Sequence, residues 1–218
     1  MAFPGAVIFD LDGTLVDSAP DIHAAANAML AALDRPALDA ERVVSFVGNG
    51  VAKLVERCLD ATGGPDGRAQ ALFDAAYARA PAALTRPYPG VREALAALDD
   101  AGCALGIVTN KPAALTGALL EGLSLGARFR VVLGGDSLAR MKPDPLPLLT
   151  AAARLGAGDA VFIGDSETDE AAAESAGMRF GFFTGGYRRR PAAEFEADFA
   201  FDRFADLPGL LGLQAAGG

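Results

Sequence analysis

Four apolar residues, Ala6-Val7-Ile8-Phe9, run without a break into Asp10-Leu11-Asp12-Gly13. A run that short and that apolar predicts a strand with both faces covered, as in the middle of a parallel sheet. Two carboxylates at the end of such a strand repel each other. Each loses roughly several kcal/mol on leaving water unless a positive group is near. A divalent cation is the simplest partner, and Gly13 frees the backbone to approach a ligand. An EF-hand is excluded, because its loop needs Asp or Asn at the fifth position, Gly at the sixth and a helix before it. Here the fifth residue is Thr14, the glycine comes fourth and a strand precedes. Nor does the chain contain the Gly-x-x-x-x-Gly-Lys-Ser/Thr phosphate loop.

From residue 17 to about residue 83 the pattern is helical only. Ser18 with Pro20 starts a helix whose apolar face is Ile22, Ala26, Met29, Leu30 and Leu33, and Arg35-Pro36 ends it. A second helix starts near Asp39 and breaks at Val47-Gly48-Asn49-Gly50. A third covers Val51 to Leu59, and a fourth approximately Arg68 to Arg79. After Arg86-Pro87-Tyr88-Pro89-Gly90 the pattern alternates. Strands are predicted at Ala104–Val108, Arg130–Leu133, Ala160–Ile163 and Arg179–Phe183, with helices at 91–100, 113–121, 145–155 and 168–176. A short strand near Phe199–Phe201, a helical turn near Leu207–Leu211 and a frayed tail from Leu213 to Gly218 complete the chain. Strand and helix in alternation predict an α/β fold, a Rossmann-like parallel sheet flanked by helices. Its core is residues 1–16 and 86–218. Residues 17–85 are an inserted all-helical cap, either stabilising bulk or mobile on hinges at Val16–Ser18 and Arg86–Pro89.

In a parallel sheet, ligands bind beyond the carboxyl ends of the strands. There the chain places Asp10 and Asp12; Thr109-Asn110-Lys111-Pro112; Met141-Lys142-Pro143-Asp144 ahead of a helix; and Gly164-Asp165-Ser166-Glu167-Thr168-Asp169. Singly, each has an ordinary explanation. Thr109 or Asn110 could cap a helix, Lys142 could be solvated, and Asp165 and Asp169 could answer a helix dipole. Together they put carboxylates, a hydroxyl and a lysine on one sheet edge.

These four segments resemble, in order, the four motifs of the haloacid dehalogenase-like phosphatases, and the resemblance spans nearly the whole chain. It implies that Asp10 attacks phosphorus to form an aspartyl-phosphate, and that Asp12 protonates the leaving group and then activates water. Mg²⁺ is implied at Asp10, the Asp12 backbone carbonyl and Asp165, an all-oxygen set suited to that ion. Thr109 and the Asn110 amide would hold phosphoryl oxygens, Lys142 would neutralise charge, and Asp169 would support Lys142 or the metal's waters. Asp12 separates phosphatases from dehalogenases in this superfamily, since a halide leaves without a proton.

Specificity is expected from the cap. Capped relatives include phosphoglycolate phosphatases, nucleotide-loop pyrophosphatases and β-phosphoglucomutases. Phe46-Val47-Gly48-Asn49-Gly50-Val51, Gly134-Gly135-Asp136 and Lys142-Pro143-Asp144-Pro145 are most similar to the phosphoglycolate phosphatases. Gly48, Asn49 and Gly50 could expose amides to a substrate carboxylate, or form an ordinary interhelical turn. The resemblance thus implies hydrolysis of 2-phosphoglycolate. Another capped phosphatase of the superfamily (a pyrophosphatase or sugar-phosphate phosphatase), a β-phosphoglucomutase-like phosphotransferase and a non-catalytic binding or regulatory protein on the same fold are the alternatives.

At 218 residues, with 51% hydrophobic and 22% charged, the composition is that of a soluble globular protein. A net charge of −9 argues against nucleic-acid and anionic-membrane partners, and no apolar run approaches the ~20 residues of a membrane span. A cytoplasmic monomer or homodimer with a small-molecule partner is expected. Cys58 and Cys103 predict buried free thiols. His23 reads as a helix–helix contact, Arg188-Arg189-Arg190 as a solvated run, and Lys53 as a weak candidate for a substrate contact.

Overall fold

The computed structural model describes residues 3–213, so the expected tail lies outside the described residues from position 214 onward. Strand β1 (Ala6–Phe9) leads to a two-residue strand β2 (Val16–Asp17). Four helices follow: α1 (Ala19–Ala32), α2 (Ala40–Val44), α3 (Val51–Thr62) and α4 (Ala69–Ala78). Then come β3 (Arg86–Pro87), α5 (Val91–Asp100), β4 (Ala104–Val108), α6 (Ala113–Gly122) and β5 (Val131–Leu133). The chain continues through α7 (Leu146–Leu155), β6 (Val161–Gly164), α8 (Glu167–Ala176), β7 (Arg179–Phe183), β8 (Phe199–Phe201) and α9 (Leu207–Leu210).

Six strands form one sheet in the order β5-β4-β1-β6-β7-β8, and every neighbouring pair is parallel. The register sets Val7 between Leu105 and Val161, and Phe9 between Ile107 and Ile163. All four residues of β1 are buried, as two covered faces require. One face carries Val7, Phe9, Leu95 and Ile107; the other carries Ala6, Ile8, Leu148 and Phe162. From β1 the chain builds outward to β4 and β5, then crosses to β6 on the other side. The winding therefore reverses at β1, which opens a crevice at its carboxyl end. The Asp10 N–H still donates to the Ile163 carbonyl, at 2.8 Å, so the sheet fixes the backbone of that acid.

Helices α1 to α4 bury a separate apolar cluster that includes Ile22, Met29, Leu30, Leu54, Phe73 and Tyr77. One correction concerns how this insert joins the sheet. Helices alone are predicted from residue 17 to about residue 83, but the two expected hinge segments pair as an antiparallel ribbon, Val16 with Pro87 and Asp17 with Arg86. Two residues, one a proline, carry no periodic signal. A second clasp lies beside the ribbon. Buried Asp21 of α1 accepts from the Thr85 N–H at 2.8 Å, the Thr85 hydroxyl at 2.7 Å and the Leu84 N–H at 3.0 Å. Among the described residues no helix is long and apolar enough to cross a membrane. Cys58 and Cys103 are buried free thiols, and burial pushes both up to about 11.

Candidate active site

Asp10 sits immediately beyond β1, and the Lys142 ammonium lies 3.0 Å from its Oδ1. Apart from this ion pair, the buried oxygen accepts no hydrogen bond. Lys142, itself buried, is held from the other side by Asp169 Oδ1 at 2.6 Å. The second Asp169 oxygen accepts the N–H groups of Asp165 and Ser166, at 3.2 and 3.0 Å, and the Ser166 hydroxyl at 2.6 Å. Ser166 and Asp169 thereby form the capping box of α8. Asp169 is thus saturated and orients Lys142. Asp165, 1% exposed, accepts from the Thr14 hydroxyl at 2.5 Å and the Tyr187 N–H at 2.7 Å. Gly13, at φ 87°, passes so close that a Cβ there would strike the Asp165 carboxylate.

Asp12 is clamped separately. Its Oδ1 accepts the Ser18 hydroxyl at 2.6 Å, and the Lys111 ammonium lies 3.1 Å from both of its oxygens. Lys111 is buried and stands 4.3 Å from the centre of the Tyr77 ring, over its face. Burial opposes that charge, yet Asp12 and Tyr77 carry the Lys111 pKa above its ordinary value. Tyr187 links this region to the insert. Its hydroxyl accepts from the Ser18 and Ala19 N–H groups, at 2.7 and 2.8 Å, and donates to Asp17 at 2.7 Å. Tyr187→Phe strands the Ser18 N–H at the start of α1 and leaves the Ala19 N–H with Asp17 Oδ1 alone, at 3.3 Å. It is expected to cost about 1–3 kcal/mol, read as a lower urea midpoint at unchanged slope.

Asp10, Asp12, Thr109, Asn110, Gly48 and Gly50 line one cavity of about 40 Å³, roofed by Ile22, Leu54 and Phe73 from the insert. Asn110 bridges the two parts, its side-chain amide donating to the Gly48 carbonyl at 3.1 Å and the Lys142 carbonyl at 2.9 Å. The expectation at Gly48–Gly50 concerns backbone amides; the Asn49 side chain itself turns to other partners, its amide donating to Thr168 Oγ1 at 3.1 Å and its carbonyl oxygen accepting from Arg57 at 2.9 Å. Gly48 and Gly50, both at positive φ, remain at the cavity wall. Thr14, Ser18, Lys111 and Tyr187 are absent from the sequence-derived set. The first three lie within or next to its motifs, but only the folded chain brings them to the acids.

The donor set fits a divalent cation. Carboxylate oxygens of Asp10, Asp165 and Asp169 lie within 4.8 Å of one another. Burial, opposed by Lys142, pushes the Asp10 carboxyl up to about 7. Burial and the charges of Asp169 and Asp10 raise Asp165. Asp10, Asp12, Asp165 and Asp169 face Lys111 and Lys142, four negative groups against two positive. The shortfall is the charge of one Mg²⁺, and the Oδ1 of Asp10 is a ready ligand.

The remaining residues singled out in the sequence have mixed outcomes. His23 Nε2 is 2.9 Å from the Leu38 carbonyl oxygen, a structural contact. Lys53 pairs with Glu56 on the surface. The arginine run is not simply solvated: the Arg189 and Arg190 backbone N–H groups donate to Glu167 at 2.8 and 2.7 Å, and the Arg190 guanidinium pairs with Glu170 and lies over the Phe195 ring.

A family model for haloacid dehalogenase-like hydrolases matches residues 7–183. A phosphoglycolate phosphatase of Cereibacter sphaeroides (strain ATCC 17029 / ATH 2.4.9) is 45% identical over 213 residues, covering 95% of this chain and 97% of that protein. The crystal structure of a predicted phosphoglycolate phosphatase from Haemophilus somnus 129PT superposes with a TM-score of 0.92 at 32% identity, covering 96% of this chain and 99% of that one. CbbY from Rhodobacter sphaeroides, solved in complex with phosphate, gives 0.80 at 28% identity, covering 94% and 96%. With the strand-end acids, the central reversal at β1 and these matches in agreement, the chain belongs to the haloacid dehalogenase-like hydrolases.

Proposed function

We propose that this enzyme, a phosphoric monoester hydrolase, cleaves 2-phosphoglycolate to glycolate and phosphate through a phosphoryl group carried on Asp10. The observation that carries the reading is the pairing of two differently held acids. Asp10 offers a buried oxygen whose one partner is the Lys142 ammonium, and Asp12 stands clamped by Ser18 and Lys111 on the same cavity. A nucleophile and a proton carrier must be distinct groups for this chemistry.

In the first step an Asp10 oxygen bonds to phosphorus, the bond from phosphorus to the glycolate oxygen breaks, and Asp12 gives its proton to that oxygen. In the second, Asp12 takes a proton from water, the water oxygen bonds to phosphorus, and the bond to Asp10 breaks. Lys142 neutralises charge on Asp10 and the phosphoryl group throughout, held in place by Asp169. Thr109 and Asn110 receive phosphoryl oxygens. Mg²⁺, held by Asp10, Asp165 and the Asp12 carbonyl, would shield the phosphoryl charge from the nucleophile. Residues 17–85 act as a cap that closes Gly48 and Gly50 over the cavity and excludes water. A separate apolar core and the β2–β3 ribbon support that role. The net charge of −9 disfavours nucleic-acid and anionic-membrane partners, consistent with a cytoplasmic enzyme acting on a small ester.

Phosphate release from a panel of small monoesters tests the proposal. With Mg²⁺ present, kcat/KM is expected to be at least about tenfold higher for 2-phosphoglycolate than for p-nitrophenyl phosphate, and chelation should stop release of both. Equal turnover of the two esters would remove the substrate assignment.

A further inference from the structure

The phosphate end of the ester is provided for by Asp10, Thr109, Asn110 and Lys142, which leaves the carboxylate end. A carboxylate entering this cavity must exchange water for donors, preferably charged ones. Among the described residues lining the cavity, Lys111 is the one cation; the wall beyond it is Ile22, Leu54, Phe73 and Leu115. Asp12 occupies at most two of the three Lys111 donors. A second donor stands beside it. Tyr77 of α4 is 2% exposed, and its buried hydroxyl makes no aligned hydrogen bond, the Lys111 ammonium being its charged neighbour; the residue lines the same cavity. A buried hydroxyl without an aligned hydrogen bond forfeits about 1–3 kcal/mol, which a ligand oxygen would restore. Lys111 over the Tyr77 ring at 4.3 Å joins a core residue to an insert residue at one point.

We infer that Lys111 and Tyr77 form the specificity site for the carboxylate of the substrate. Lys111 shares its ammonium between that carboxylate and Asp12, and Tyr77 supplies the second donor from the cap. The inference rests on the assignment of 2-phosphoglycolate as substrate and names the residues that would select it. It also couples selection to chemistry. Drawing Lys111 toward the ligand loosens its hold on Asp12 as the proton is needed, and Tyr77 delivers its hydroxyl only when α4 is seated over the sheet. An ester lacking the carboxylate engages neither donor.

The test compares 2-phosphoglycolate with 2-hydroxyethyl phosphate, in which a neutral hydroxymethyl group replaces the carboxylate. The quantity read is the ratio of their kcat/KM values in wild type, Lys111→Met and Tyr77→Phe. Taking the ratio cancels any general loss from a displaced Asp12. Lys111→Met is expected to lower the ratio about 30-fold or more, and Tyr77→Phe about 5- to 10-fold, mainly through KM for phosphoglycolate. Because the Tyr77 hydroxyl makes no aligned hydrogen bond and phenylalanine keeps the ring face beneath Lys111, Tyr77→Phe should fold at close to wild-type stability and keeps the test decisive should Lys111→Met fail to fold. An unchanged ratio in Tyr77→Phe, or equal losses on both esters in Lys111→Met, would overturn the inference while leaving the substrate standing. A wild-type enzyme that hydrolyses both esters alike would instead remove the substrate assignment, and this site with it.

Discussion

Asp10→Asn is expected to reduce Mg²⁺-dependent phosphate release by about 10⁴-fold or more, the scale seen when a covalent nucleophile is removed. The change is isosteric, and the backbone of residue 10 is fixed by its hydrogen bond to Ile163, so the loss cannot come from a displaced strand. What disappears is a charged oxygen whose one partner is the Lys142 ammonium. The variant also removes one negative charge from a crowded buried set, because Asp165 and Asp169 lie within 4.8 Å. Repulsion among them falls, so the folded state should be as stable as wild type or more so, although Lys142 retains only Asp169 as a partner. Thermal melting beside the phosphate assay checks both halves. An inactive but well-folded protein is the predicted result, and release that survives the change would contradict the nucleophile.

Asp12→Asn is expected to lower kcat/KM for 2-phosphoglycolate by about 10²- to 10⁴-fold, the usual contribution of a placed proton carrier. The loss should depend on the leaving group. Glycolate leaves poorly without a proton, whereas p-nitrophenolate needs none, so the first step survives with p-nitrophenyl phosphate. The second step still requires a base for water. With that ester the variant should show a burst of p-nitrophenolate of about one per active site, followed by slow turnover. Stability should fall, because a neutral residue leaves the Lys111 ammonium without its carboxylate. An uncompensated buried charge of this kind costs about 3–5 kcal/mol, part of which the face of Tyr77 offsets. A loss of the same size with both esters would point to a structural role for Asp12 alone.

Much of this architecture is legible from the chain because buried parallel strands announce themselves. Ala6–Phe9 has no polar residue to confuse the period, and each later strand ends at a recognisable change of composition. The acids stand where sheet topology puts any residue that follows a strand, so Asp10, Thr109, Lys142 and Asp165 converge once the strands are placed. What stays hidden is contact across long sequence separations. Tyr77 repeats at four residues from Phe73 on α4, and the two rings stack, which in sequence is a core stripe and nothing more. Its hydroxyl acquires meaning only when Lys111 arrives from β4. Asn49 is a second case. Two glycines beside it suggest a loop of backbone amides, and the partners of its side chain, Arg57 of α3 and Thr168 of α8, are visible only in the folded chain. The β2–β3 ribbon is too short to carry any period at all.

The central claim is that phosphorus passes through Asp10, and its most direct measurement uses Asp12→Asn with p-nitrophenyl phosphate. The reaction is quenched in acid during steady turnover, digested, and the peptide holding residue 10 is weighed by mass spectrometry. A phosphoryl adduct on Asp10, absent when the reaction is run without substrate, is the predicted result. Turnover with that peptide unmodified, or with the adduct on another residue, would contradict it.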